Sequence, residues 1–549
     1  MEKRSFKGFS CTAVWWSLAA YILLLSTQAA EGHDGAWSLL VENAGIASMH
    51  TQVTRYGTVL MLDRTEVGPS NISLPKGECR VNPVEGADDC TAHSVELTPN
   101  WVNSTIRPLF IYTDTWCSSG QVTSDGTLVQ TGGNGDGSQI VRTFAPCPPG
   151  GLCDWVETGI PLKAPRWYST NHILEDGDTQ VVIGGQNVFS MEFVPANGRG
   201  LTTLQLLLTT DDSHKDSQTD NLYPFVNLLP DGTLWIFANQ DSIIYDYKNQ
   251  RVVKNLPRLE GGPRNYPSAG SSVMLPLESS NGFKEIQLLV CGGAQAGANS
   301  DNSNGIHMGA QQTCGRMTLT DPKPAWTMEM MPCRRTMGDM VLLPTKEVLI
   351  INGAQNGSSG WEKASVPALH PVIYSPDQKI GSRFRIQEKS YIPRMYHSTA
   401  NLLPDGRVLI AGSNPHQYYT FSGEFPTELR VEAFSPKYMA LKNIYKKPFI
   451  ISGPDSVPYG SSFNVTFLAL QVGKVEVTMT SASFHTHSYG QGQRLLVLAA
   501  SEVMSTKGFN TYQVTVTAPP HGGVAPKGYY MTFVVNDGIP SAAKWIQVL

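Results

Sequence analysis

LPDGRVLIAGSN, residues 403–414, reads as a turn followed by a strand: Pro-Asp-Gly makes the turn, Val-Leu-Ile the apolar run, and a glycine ends it. Proline presets the first turn residue and glycine accepts the positive φ at the turn's end. The design recurs as SDGTLVQTGG (124–133), EDGDTQVVIGG (175–185), LPDGTLWIFAN (229–239), EIQLLVCGG (285–293) and LPTKEVLIINGA (343–354), with a degenerate copy, RYGTVLMLDR, at 55–64. From 124 onward the copies stand about 50 to 60 residues apart, the kelch period. Seven copies predict a seven-bladed β-propeller of four-stranded sheets round a central axis. Each blade buries its apolar faces only against its neighbours, so closing the ring removes two exposed ends. No window carries a sustained helical apolar period, and the expected fold class is all-β.

The turn-strand-glycine rhythm stops near residue 443, after KNIYKKPFIISGP. SSFNVTFLAL, KVEVTMTSASF, RLLVLAAS, TYQVTVTAP and GYYMTFVVND follow, alternating strands at short spacing. They predict an immunoglobulin-like β-sandwich over 444–549 behind a propeller over 31–443. The polar, glycine-rich stretch 294–312 is long enough to be a lid on one face of the disc.

Charged residues make up 16% of the 549 and the net charge is −5, with no basic run. That composition argues against nucleic acid as a partner. Lys3, Arg4 and Lys7 precede an apolar run, AVWWSLAAYILLLS (13–26), and small residues Ala29 and Ala30. This is the layout of a secretory signal peptide over 1–30, and the run is short for a membrane span. No second span is evident, so the mature form is expected outside the cell, in the medium or cell wall, without a membrane segment. Sequons at Asn71, Asn103, Asn356 and Asn464 fit that route.

The chemistry is sought in a few short fragments. IPRMYHS (392–398) sets Tyr396 beside His397 just before a repeat. Neighbouring side chains on a strand point to opposite faces, so both meet one ion only where the strand ends or bends. TWCSSG surrounds Cys117, RWYSTN surrounds Tyr168 and FHTHSYGQGQR surrounds His487. Neither HExxH nor CxxC occurs, and spacing alone selects none of the 12 histidines.

Taken together, the four fragments resemble the copper-radical oxidases, the galactose oxidase and glyoxal oxidase family, closest to the plant glyoxal oxidase-like members. The resemblance implies Tyr396 as axial and His397 as equatorial copper ligand, with His487 the second histidine and His485 its competitor. It implies Tyr168 as equatorial ligand, its ring joined to the sulfur of Cys117 in a thioether, so that the pair forms a self-derived radical cofactor. RWY and RMY are read as equivalent blade positions, and His485 and His487 as lying on one strand face. With Cys11 in the leader and Cys117 in the thioether, disulfides 79–90, 147–153 and 291–314 are expected, leaving Cys333 free. One departure stands out: galactose oxidase has a tryptophan where this chain has Asn187, and Trp361 is the candidate replacement.

What the resemblance implies is a monomeric oxidase taking a small aldehyde, of the glyoxal or methylglyoxal type, to its acid while reducing O2 to H2O2. A galactose or primary-alcohol oxidase acting on cell-wall sugars is the alternative within enzymes. A kelch propeller used only for binding is the alternative outside them.

Overall fold

In LPDGR the Gly406 amide donates to the Leu403 carbonyl at 3.0 Å and the Leu403 amide to the Arg407 carbonyl at 2.8 Å, with Gly406 at φ +94°. This is a type I turn closed by a left-handed residue. Gly57, Gly126, Gly177 and Gly232 repeat it, each donating to the carbonyl three residues back. Lys346 takes the same place at φ +72°. The apolar run that follows, Val408–Ala411, pairs with Thr399–Leu402 on one side and Val431–Ser435 on the other, and all four of its residues are buried. Covered on both faces, such strands show continuous rather than alternating apolarity.

The computed structural model describes residues 34–549 except 82–85, 101, 216–217 and 303–304; the leader read from the sequence, 1–30, lies outside the described residues. Seven four-stranded antiparallel blades surround an axis. Their inner strands are His50–Val53, Ser119–Val122, Thr170–Ile173, Phe225–Leu228, Ser271–Met274, Asp339–Leu342 and Thr399–Leu402, which number blades I to VII. The quoted repeats supply the second strand of each. Blade VII takes its outermost strand, Ala36–Val41, from the beginning of the chain, paired antiparallel with Val431–Ser435. Helix is limited, among the described residues, to short turns such as Gln205–Thr209 and Ala298–Asn302, the latter inside the polar stretch 294–312.

Buried arginines pin the blade ends. Arg166 donates to the Gly184 carbonyl at 2.8 Å and Arg264 to that of Gly292 at 2.7 Å; Arg335 does the same to Asn352 and Arg394 to Gly412. In blade II the job falls to Arg142, 2.7 Å from the Gly132 carbonyl. Each guanidinium satisfies carbonyls that strand pairing leaves open.

Two sheets follow the propeller. One runs Phe449–Ser452, Ser462–Leu468, Thr511–Thr517, Met504–Ser505; the other contains Leu495–Leu498, Val475–Ser481, Gly528–Asn536, Lys544–Val548 and Ser456–Val457. Ser462–Leu468 alternates, with Phe463, Val465 and Phe467 inward. Leu277–Glu278 of the propeller adds to Leu495–Leu498 as a parallel edge strand. One apolar cluster joins Phe467, Val477 and Val534 of the sandwich to Phe225, Trp235 and Leu288 of blades IV and V, so the second unit is fixed to the disc. Disulfides join Cys79–Cys90, Cys147–Cys153 and Cys291–Cys314, as the sequence led us to expect, while Cys117 and Cys333 are free.

Blade packing predicts a graded cost for two substitutions. A Cβ at Gly132 (φ +75°) would lie 2.1 Å from the Arg166 carbonyl oxygen, whereas one at Gly198 (φ +78°) meets nothing within 4 Å. Both Gly→Ala changes carry the left-handed penalty of about 1–2 kcal/mol. Only Gly132→Ala adds a backbone clash, so it should lose at least about 3 kcal/mol. Unfolding in denaturant compares the two directly.

Candidate metal centre

Each blade carries one residue in the left-handed conformation two positions before its inner strand: Ser48, Cys117, Tyr168, Tyr223, Ala269, Met337 and His397, with φ from 47° to 66°. None is glycine, so each costs about 1–2 kcal/mol unless its surroundings enforce it. Enforcement comes from the neighbouring blade. The Tyr168 amide donates to the Cys117 carbonyl (2.9 Å), Tyr223 to Tyr168 (2.9 Å) and Met337 to Ala269 (2.7 Å). The kink gathers Cys117, Tyr168, Tyr223, Ala269 and Met337 into one buried cluster with Tyr266 and Tyr396.

His397 and Tyr396 face one place because the chain bends there. His397 has φ +64°, and the two adjacent rings stack with centroids 3.8 Å apart. The equivalence read between RWY and RMY needs correction. Thr170 pairs with Ile183 and Thr399 with Ala411, so Tyr168 corresponds to His397, and Tyr396 stands one residue earlier. The arginines of the two fragments do match in function, through the Gly184 and Gly412 carbonyls; Met395 is the extra residue between.

His487 arrives from the C-terminal unit. Phe484–Thr486 and Tyr489–Gln491 form a hairpin whose two turn residues, His487 and Ser488, have φ +46° and +69°. Both positive values suit the two-residue turn that matches strand twist, though Asn-Gly is its usual sequence. The hairpin pairs with blade I through His50 opposite Thr486. Side chains of the hairpin and of Gln493 just beyond it satisfy other inner strands: Gln491 accepts from the Asn171 amide (3.0 Å), Tyr489 from Val226 (2.8 Å) and Gln493 from Leu342 (2.6 Å). Gly490 is required because a Cβ there would lie 2.7 Å from the His485 ring. His485 does not share a face with His487, since the latter sits in the turn; its Nε2 is 2.8 Å from Ser483 Oγ.

A chain of hydrogen bonds fixes the His487 tautomer. His50 Nε2 is 3.0 Å from the Thr115 carbonyl, which only accepts, so Nε2 carries the proton and Nδ1 is a lone pair. Thr486 Oγ1, 2.8 Å away, therefore donates to His50 Nδ1 and accepts from His487 Nδ1 at 2.6 Å. His487 Nε2 is left as a lone pair that accepts from the Cys117 thiol at 3.1 Å. Burial holds the His50 pKa down to about 4, keeping this polarity at neutral pH.

Cys117, His397 and His487 offer ligand atoms all within 4.8 Å of one another. Both ring nitrogens of His397 are buried without a hydrogen-bond partner among the described residues. Burial lowers the pKa of His397 and His487 well below the ordinary value and raises those of Cys117, Tyr168 and Tyr396 well above theirs. Neutral imidazoles, phenols and a thiol in a dry pocket suit a copper ion, whose charge would offset the desolvation.

Two tyrosines escaped the sequence reading. Tyr266 stacks on Tyr168 (4.5 Å, 23°), and its hydroxyl lies 2.8 Å from that of Tyr396 and 3.3 Å from that of Tyr168. Tyr223 lies 4.9 Å from the His487 ring. Trp361 does not cover Tyr168 but stacks on Trp116 at 5.3 Å, and Asn187 is exposed. Tyr266 and the adjacent Trp167, 4.7 Å from Tyr168, cover that ring instead. A ruler visible in the sequence would have marked Tyr223. The left-handed residue stands nine before the left-handed turn residue, as in Ser48 and Gly57, Cys117 and Gly126, Tyr168 and Gly177, Tyr223 and Gly232, Met337 and Lys346, His397 and Gly406.

A propeller with an imidazole-phenol-thiol cluster at its axis, completed by a hairpin from a β-sandwich, defines a copper-radical oxidase. Residues 49–438 match the model of the glyoxal oxidase N-terminus and 447–548 that of the galactose oxidase-like early set domain. The chain belongs to the glyoxal oxidase family. It is 52% identical to aldehyde oxidase GLOX of Vitis pseudoreticulata, covering 94% of this chain and 97% of that one. It is 42% identical to aldehyde oxidase GLOX1 of Arabidopsis thaliana, covering 94% and 85%. A fungal alcohol oxidase in complex with copper shares the fold, with a TM-score of 0.71 at 19% identity over 94% of this chain and 99% of that one.

The buried histidines set a pH dependence. In copper-free protein His50, His172, His397 and His487 stay neutral in the fold, His172 with a pKa of about 3, while unfolded histidines titrate near 6.5. A depressed folded pKa means the unfolded chain binds more protons below pH 6.5. Stability should thus be full above that value and fall as the pH drops toward 4. Denaturant unfolding of the copper-free protein at pH 7, 6, 5 and 4.5 measures it; a flat profile contradicts the assignment.

Proposed function

We propose that this protein is a secreted copper-radical oxidase that converts small aldehydes, of the glyoxal and methylglyoxal type, with water and O2 into the carboxylic acid and H2O2. The observation that carries it is the convergence of Cys117, Tyr168, Tyr396, His397 and His487 from four separate segments onto one buried place. The named aldehyde oxidases among its relatives support the same reading.

Tyr168, Tyr396, His397 and His487 would hold the metal. Bound copper would accept one of the two electrons and draw the Tyr396 phenol toward its phenolate. Tyr396 then takes the proton of the aldehyde hydrate's hydroxyl, a general-base role. Tyr266, 2.8 Å from the Tyr396 oxygen, steadies it by hydrogen bonding. Tyr168, bonded through its ring to the Cys117 sulfur, is the second one-electron store and takes the hydrogen atom from the same carbon. Sulfur spreads the unpaired electron and makes the ring easier to oxidise. Forming that thioether removes the thiol hydrogen and one ring hydrogen, with O2 as oxidant.

The oxidising compartment follows from three disulfides in one chain. We place cleavage of the leader near Glu31 and glycans on Asn71, Asn103 and Asn464, which are exposed; Asn356 is half-buried in the strand Ala354–Gly357. No helix among the described residues is long and apolar enough to cross a membrane. We take the mature enzyme to act as a monomer on a small aldehyde and O2.

Copper binding will separate the histidines. His397→Ala and His487→Ala should abolish it in a metal titration, and His485→Ala should retain it. Thr486→Val should weaken it about 10- to 100-fold by freeing the His487 tautomer, with Thr486→Ser restoring it. Copper loss in His485→Ala with retention in His487→Ala would refute the ligand assignment.

The reaction itself is tested by H2O2 release from glyoxal against galactose with copper-loaded protein, where glyoxal should dominate. Peptide mass analysis should find the Cys117 and Tyr168 peptides joined and two hydrogens lighter than their sum. Cys117→Ser should lack that species, bind copper and lose the oxidase activity. An ordinary Cys117 thiol in fully active enzyme would reject the mechanism.

A further inference from the structure

The cover of the centre is rich in hydrogen-bond donors. Trp116, the residue before Cys117, stacks on Trp361 (5.3 Å, 17°) and meets Trp167 edge-on at 4.9 Å. Trp167 in turn lies on Tyr168. Arg64 closes the group, its guanidinium carbon 4.8 Å from the Trp116 ring and 5.0 Å from that of Trp361. The three indole nitrogens, Arg64 Nε and one terminal Arg64 nitrogen are buried without a hydrogen-bond partner among the described residues.

Arg64 is 2% exposed. No carboxylate among the described residues forms an ion pair with it, although the charges of Asp114 and Glu66 act on it through space. Its own charge acts through space on His397 and Cys117, which sets it beside the centre. Five unpaired donors beside a reacting centre carry a desolvation cost that ligand oxygens would relieve. A guanidinium presents its N–H groups in a fixed fork that matches two oxygens, and the indoles above and beside it leave flat apolar walls.

We propose that Arg64, backed by Trp116 and Trp361, binds a second oxygen of the substrate, next to the carbon being oxidised. Aldehydes carrying a 2-oxo or carboxylate group are then preferred over plain alkanals of the same size. This assignment rests on the aldehyde oxidase reading above. It makes Arg64 a specificity-determining residue supplied by the end of the second strand of blade I, a segment none of the four fragments contains.

Methylglyoxal and propanal have the same carbon chain and differ at the second carbon. The test is the ratio of their kcat/KM values in copper-loaded wild type, Arg64→Met and Arg64→Lys. The ratio should fall about 10- to 100-fold in Arg64→Met and recover in part in Arg64→Lys. A ratio within about twofold of wild type in Arg64→Met, or in Arg64→Gln should the first variant not fold, overturns the proposal. Glyoxylate titrated into copper-free protein gives a reading independent of turnover. A saturable change in tryptophan fluorescence that Arg64→Met removes supports the site, and one that persists in that variant overturns it. If wild type binds glyoxylate through Arg64 yet oxidises neither aldehyde, the oxidase reading fails and the oxygen site stands; turnover with an unchanged ratio sinks Arg64 alone.

Discussion

Seven left-handed backbone kinks at the mouth of the propeller axis are the constraint on which the centre depends. A strand sends consecutive side chains to opposite faces, and a blade edge-on to the axis would aim few of them at one point. Kinking each chain two residues before the inner strand brings Cys117, Tyr168, Tyr223 and His397 inward from four blades. The strain is carried by the neighbours. Amide-to-carbonyl bonds pass from kink to kink, and in five blades a buried arginine locks a carbonyl at the end of the second strand. Gly412 belongs to the same lock, since a Cβ there would stand 2.3 Å from the His397 carbonyl oxygen. The glycine that punctuates the repeat thus holds a site residue in place.

The ring alone is incomplete. Between the inner strands of blades I and II the axis is filled by the Phe484–Gln491 hairpin, which also touches the inner strands of blades III to VII. Its polar side chains answer unpaired backbone groups of those strands, so its position is set by hydrogen bonds on several sides. Thr486, His50 and the Thr115 carbonyl then orient the His487 lone pair. The sandwich earns its place as an anchor: its core is continuous with blades IV and V, and a shift of the sandwich would move His487.

Dryness gives the centre its chemical character. Cys117, Tyr168, Tyr396, His397 and His487 are each at most 5% exposed. Burial keeps the phenols and thiol protonated and the imidazoles neutral, so in the absence of a cation the cluster holds no charge of its own. Tyr266 reaches this pocket from just before the inner strand of blade V and lies on the ring that galactose oxidase-type sequences would cover with a tryptophan. The stacking partner is therefore a phenol, which adds a hydroxyl between Tyr168 and Tyr396.

The propeller was legible in the sequence because its repeat is local: turn, buried strand and glycine are set within a dozen residues by φ preference and apolarity. The blade count, the alternating strands after 443 and the short-range cysteine pairs follow from the same local rules. The five residues proposed for the centre were singled out through fragments resembling a family, and the nine-residue ruler shows that three of them, Cys117, Tyr168 and His397, stood at a position the repeat itself defines. Tyr396 and His487 obey no such ruler, one displaced by the extra Met395, the other lying in a different unit. Tyr266, His50 and Arg64 could be placed only by the folded chain. Their roles come from contacts across 130, 436 and 52 residues, with Tyr396, Thr486 and Trp116. Sequence spacing records what neighbours along the chain must do; it carries no mark of which ring will stack on another, or which donor will be left without an acceptor, once seven blades have closed on an axis.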